Sequence, residues 1–125
     1  MSIEKVAGVT QCTVSRPGYP AINLNVNTSA TVRPARWIRE TKLGASGRAV
    51  AKVLPQIGRI EVGCLDSQDF THQDIGDWDE VTVTLRTASG KVYVCNGHHV
   101  EESMLDAIEG EFTLAFEGDV EEILP

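Results

Sequence analysis

Apolar residues recur in this chain at every second position, in stretch after stretch, and that spacing suits strands rather than helices. Ile22, Leu24 and Val26 alternate with Asn23, Asn25 and Asn27, so one face is apolar and the other amide. Ile60, Val62 and Cys64 alternate with Arg59, Glu61 and Gly63, and Val81, Val83 and Leu85 with Thr82, Thr84 and Arg86. Val92 and Val94 alternate with Lys91, Tyr93 and Cys95. Phe112, Leu114 and Phe116 alternate with Thr113, Ala115 and Glu117. Gly8 to Val14 is also strand-like, and Arg36 to Leu43 and Arg48 to Leu54 read as strands of poorer alternation. About eight strands in one small chain predict a mainly β fold, an antiparallel β-sandwich or barrel.

Turn chemistry punctuates the strands. Thr87-Ala88-Ser89-Gly90 sits between two clean runs and predicts a hairpin over residues 80–96. Arg16-Pro17-Gly18-Tyr19-Pro20 separates the first strand from the second. Helical signal is confined to two places. Thr71 and Asp74 have capping-box spacing, flanked by Phe70 and Ile75 at staple positions, and Gly76 keeps that helix short. Ser103-Met104-Leu105-Asp106 offers a second start, stopped by Gly110. With 125 residues, 42% of them hydrophobic, the expected organisation is one domain over 1–125. No apolar run approaches the ~18 residues of a membrane span. Met1-Ser2-Ile3-Glu4-Lys5 lacks the charged and apolar regions of a secretory signal, so synthesis in the cytosol is expected.

Charge is segregated along the chain. Residues 1–65 hold nine of the eleven Lys and Arg against three carboxylates, +6; residues 66–125 hold two cations against fifteen, −13. Complementary patches of this kind steer and orient association between copies. A net charge of −7 argues against tight binding of phosphate backbones, which takes clustered cations. Cys12, Cys64 and Cys95 are odd in number and far apart, each in a strand-like stretch, and read as small buried hydrophobes.

Catalytic and ligand-binding patterns are missing from the sequence. Gly44 and Gly47 lie three apart and Arg48 precedes Ala49, which does not make a P-loop. His98 and His99, adjacent on a strand, face opposite ways and do not jointly ligate one ion; His72 is remote in sequence. Asp74, Asp77, Asp79, Glu80, Glu101, Glu102, Glu121 and Glu122 match no calcium loop and read as solvated. No G-x-S-x-G elbow is present. Trp37 and Trp78 are either core or interface anchors, or the platform of a β-barrel module for a small ligand or glycan. The expectation is a non-enzyme with no cofactor and no metal. One connection stands apart: Thr41 to Val50, with small residues, two glycines and two cations, joining the two strands of poorer alternation. It reads either as an ordinary hairpin tip or as an arm that docks on a neighbour.

The order of these features resembles the bacteriophage tail tube proteins, in particular the short type of contractile-tailed, transposable phages. The matching stretches are the strand followed by Pro17-Gly18-Tyr19-Pro20 and Ile22–Val26, and the Arg36–Val53 hairpin with its Gly44-Ala45-Ser46-Gly47 tip. Next come Ile60–Leu65, the short helix near Thr71–Trp78 that feeds Val81–Leu85, the run Lys91 to Gly97, and Glu109 to Gly118. The resemblance implies a β-sandwich subunit that closes into hexameric rings stacked as a hollow tube, an architecture shared with the type VI secretion tube protein. DNA and the tape measure protein would occupy the lumen, without specific DNA binding, and a contractile sheath the outside, with baseplate or terminator proteins at the ends. The protein would be a virion component assembled in the host cytoplasm. The inter-subunit loop carried over is Lys42, Leu43, Gly44, Ala45, Ser46, Gly47, Arg48 and Val50.

Overall fold

In the computed structural model the described residues are 8–123, excepting the side chain of Thr28. Eight strands run β1 Val9–Ser15, β2 Ile22–Arg33, β3 Arg36–Leu43, β4 Ala49–Gln56, β5 Gly58–Leu65, β6 Val81–Thr87, β7 Val92–Val100 and β8 Glu111–Ile123. Six of them close a barrel in the order β1-β2-β5-β8-β7-β6, with β6 returning to β1 and every pairing antiparallel. Closure leaves β3 and β4 outside, paired only with each other. The barrel removes the edges that an open sheet of these strands would expose.

Alternation does what the sequence spacing requires. Cys12, Val14, Leu24, Ile60, Val62, Cys64, Val81, Val83, Leu85, Phe112, Leu114 and Phe116 point inward and form one buried cluster. On β7, Cys95 is buried and Tyr93 packs against the core, whereas Val92 and Val94 lie on the other face. The register gives the reason: Cys95 lies opposite Val83 and Tyr93 opposite Leu85, and directly opposed residues share a face. Two strands also run further than their alternation suggests. β2 passes a bulge between Val26 and Ser29 and pairs with β5 through Arg33. β8 continues past Gly118, where Gly58 and Gly97 flank it on either side.

The expected helix near residues 71–78 is a single 3₁₀ turn, Asp74–Asp77. Thr71 Oγ1 accepts from the Asp74 N–H at 3.3 Å, so half of the capping box forms. Phe70, Ile75 and Trp78 plug this end of the barrel. Trp78 stacks on Phe116 at 6.1 Å between centroids, and Phe70 meets both Trp78 and Phe112 at 5.8 Å. The second expected helix does not form. From Ser103 the chain runs irregularly to Asp106, whose Oδ1 accepts from the N–H groups of Ile108 and Glu109. That side chain offers the backbone a turn in place of a helix, and Gly110 closes it.

Candidate assembly surfaces

The arm, residues 36–56, is a regular ribbon in which no residue of either strand is buried. Eight rungs pair it, from Arg36 opposite Gln56 to Leu43 opposite Ala49. At the tip the Gly44 N–H donates to the Arg48 carbonyl at 2.9 Å and the Gly47 N–H to the Gly44 carbonyl at 3.0 Å. Gly47 takes φ +80, which a side chain would resist. Pro55 has no N–H to give, and the edge of a two-stranded ribbon tolerates it.

Pairing sorts the arm into two faces. Trp37 with Pro55, Arg39 with Val53, Thr41 with Ala51 and Leu43 with Ala49 make the more apolar one. Arg36 with Gln56, Ile38 with Leu54, Glu40 with Lys52 and Lys42 with Val50 make the other. Trp37 is 62% exposed and Leu43 77%, and no residue of either strand is buried. The arm holds five cations and one carboxylate, +4, against −11 for the remainder of a chain that totals −7. A two-stranded hairpin without a covered face is marginally stable in water. This one presents apolar area that its own barrel leaves open.

The residues singled out in the sequence occupy its outer part. Lys42 and Leu43 end β3 on opposite faces, Gly44 to Gly47 form the tip, Arg48 follows it, and Val50 shares a face with Lys42. Trp37, Ile38, Val53 and Leu54, all exposed, belong to the same surface and were not singled out as part of the loop. The signal was their irregular alternation together with a high apolar content, which suits a ribbon open on both faces.

Antiparallel order also sorts the connections by end. The arm and the turn Ala88–Gly90 leave one end of the barrel; the links 16–21, 66–80 and 101–110 gather at the other. Those three links contain ten carboxylates and one cation, Arg16, so this end carries −9. Barrel order keeps the halves of the chain apart in space, since β1, β2 and β5 are contiguous and so are β8, β7 and β6. The sequence's charge split is therefore a spatial one. Exposed apolar residues accompany the acids: Ile108 is 93% exposed and Met104 75%. Arg16 lies over the Tyr19 ring at 3.7 Å.

The remaining candidates resolve into structure. Cys12, Cys64 and Cys95 are free thiols in the core. Burial pushes Cys12 and Cys64 up to about 12 and Cys95 to about 11. The His99 ring is packed edge-on to Phe116, the backbone N–H of His99 donates to the Trp78 carbonyl at 3.0 Å, and burial lowers the imidazole pKa. His72 packs on Phe112 with Nε2 3.1 Å from Asp66 Oδ1. Trp78 is fully enclosed, so it is no platform for a ligand. Among the described residues no group of three His, Cys, Asp or Glu is placed to hold a metal, and no helix is long and apolar enough to cross a membrane.

A family model described as phage tail tube protein matches residues 19–122. Among solved structures, the chain is similar to one from the cryo-EM structure of an anti-feeding prophage tube-terminating cap. The TM-score is 0.59 at 11% identity, covering 100% of this chain and 95% of that one. That likeness is one of fold. No curated protein matches by sequence.

Proposed function

The chain belongs to the phage tail tube protein family, and from that premise we propose that it is the repeating subunit of a hollow tail tube. Six copies close a ring, rings stack, and DNA passes through the lumen without specific binding. The carrying observation is the arm: a ribbon of exposed Trp37, Leu43 and Val53 that no surface of its own barrel covers. Ordering such a segment costs about 1–2 kcal/mol of backbone entropy per residue, and contacts with a neighbouring copy are the source that offsets it. The inter-subunit residues include Lys42, Leu43, Gly44, Ala45, Ser46, Gly47, Arg48 and Val50. The whole chain acts as a single tail-tube-like β domain, assembled in the host cytoplasm, with the tail sheath, tape measure and baseplate or terminator proteins as partners.

The test is assembly of the purified protein. Sedimentation over a range of concentrations and negative-stain imaging should reveal rings with six-fold symmetry and stacked tubes. Deleting Gly44–Arg48 should leave the circular dichroism of the monomer unchanged and abolish rings and tubes. A wild-type protein that stays monomeric at every concentration, or a deletion variant that still forms tubes, would overturn this reading.

A further inference from the structure

The arm and the three-loop end are opposite in charge, opposite in position, and both unsatisfied. Arg39, Lys42, Arg48 and Lys52 form no ion pair among the described residues. At the far end, Asp69, Asp74, Asp77, Asp79, Glu80, Glu102, Asp106 and Glu109 likewise lack a cationic partner. That end is also shaped to receive something. An open groove of about 880 Å³ runs between the first and second links, lined by Pro17, Tyr19, Pro20 and Phe70 together with one cation, Arg16, and five carboxylates, Asp77 and Glu80 among them. The third link adds Met104 and Ile108 at the same end of the barrel, both largely exposed. Acids among apolar side chains are what a cationic ribbon bearing Trp37, Leu43 and Val53 complements.

We propose that the arm of one copy docks on the three-loop end of a second copy, residues 16–21, 66–80 and 101–110. This rests on the tube reading and names the surface that the arm engages. The occupant is another copy because the chain itself carries both complements, +4 on the arm and −9 on the loops. Two acidic ends repel one another, and so do two arms, which suppresses head-to-head pairing. The two surfaces leave opposite ends of the barrel, so the contact is heterologous and repeats from one copy to the next. Each copy is held by its arm and holds the arm of the next.

Charge reversal separates this from the tube reading itself. One variant carries Arg39→Glu, Lys42→Glu, Arg48→Glu and Lys52→Glu. The other carries Asp69→Lys, Asp77→Lys, Asp79→Lys, Glu80→Lys, Glu102→Lys and Glu109→Lys, all exposed side chains that make no hydrogen bond among the described residues, and it takes that end from −9 to +3. Each variant alone should fold and fail to form tubes, with a critical concentration raised about tenfold or more, an electrostatic penalty of about 1.4 kcal/mol or more. Mixed in equal amounts they should form tubes again, because each arm then meets an opposite end. Wild-type tubes together with a loop variant that assembles normally would overturn the docking and leave the tube reading standing. Failure of the mixture to recover would also overturn it. Wild type that forms no tubes removes both. Should the lysine set fail to fold, the set Asp69→Asn, Asp77→Asn, Glu102→Gln and Glu109→Gln probes the same surface. A several-fold rise in critical concentration supports the docking, and an unchanged value overturns it.

Discussion

Arg59 on β5 holds Glu101 at 2.8 Å, and Glu101 is the residue at which β7 turns into the last acidic link, with φ +66. A left-handed backbone is uncommon for a side chain of this kind, so the ion pair fixes a conformation the chain does not favour alone. The same guanidinium reaches Glu117 on β8 at 2.8 Å and Glu61 on its own strand at 3.3 Å. Three carboxylates raise its pKa further above the ordinary arginine range, Glu101 contributing most. Arg59→Met leaves these carboxylates facing one another. It should lower stability by about 1–2 kcal/mol, a modest figure because the cluster is part-exposed. Thermal unfolding measures the loss, and hydrogen exchange should quicken first in residues 101–110. An unchanged melting temperature would mean that solvent screens the cluster completely.

Gly97 and Gly118 face each other across β7 and β8. A Cβ on Gly97 would fall inside contact distance of the Glu117 backbone, and one on Gly118 would meet the Asn96 carbonyl. Backbone cannot swing aside as a side chain does. Gly97→Ala should therefore cost about 2 kcal/mol or more. Gly76→Ala is the control, since nothing lies within 4 Å of a Cβ there. Urea unfolding of both variants checks the contrast, and equal midpoints would remove the argument.

The three core cysteines make a prediction about alkali. Each has its folded pKa raised from 9.0, to about 12 for Cys12 and Cys64 and about 11 for Cys95, by burial. Thiols that ionise only after unfolding favour the unfolded chain once pH exceeds the unfolded value. Their contribution is intact below pH 9.0 and declines as pH rises toward 11–12. Native protein at pH 8 should resist alkylation, and denatured protein should take up three labels. Rapid labelling of any thiol in folded protein would contradict the buried placement.

Strand identity was legible because period-two alternation is a local property. Phe112, Leu114 and Phe116 point inward as their spacing requires. What escaped was set by partners distant in sequence. Tyr93 packs inward and Val92 and Val94 do not because Leu85 lies opposite Tyr93 on the core face, and a strand apolar on both faces does not itself say which is turned in. Asp106 replaces a helix start with a turn because its carboxylate captures two backbone N–H groups. The arm was legible at its tip, where Gly44 and Gly47 mark the turn. It was not legible at Trp37, because exposure on both faces comes from exclusion by the closed barrel. Barrel order likewise converts a charge split along the chain into two charged ends, which no local pattern states.

Two forces act on the arm, and salt separates them. Ion pairs between exposed groups are screened over ~8–10 Å at physiological ionic strength, whereas apolar burial is not screened. Raising salt from about 0.05 M to about 0.5 M should increase the critical concentration for tubes several-fold, because Arg39, Lys42, Arg48 and Lys52 lose their attraction for a carboxylate surface. Trp37 tests the other force. It is 62% exposed in the free chain, and burying such a side chain is worth about 1.5–3 kcal/mol. Trp37→Ala should raise the critical concentration roughly ten- to hundredfold, by a similar factor at both salts. The monomer should keep its melting temperature, since Trp37 packs on nothing in the barrel core. Should Trp37→Ala assemble like wild type at both salts, the apolar face of the arm would have no part in holding one copy to the next.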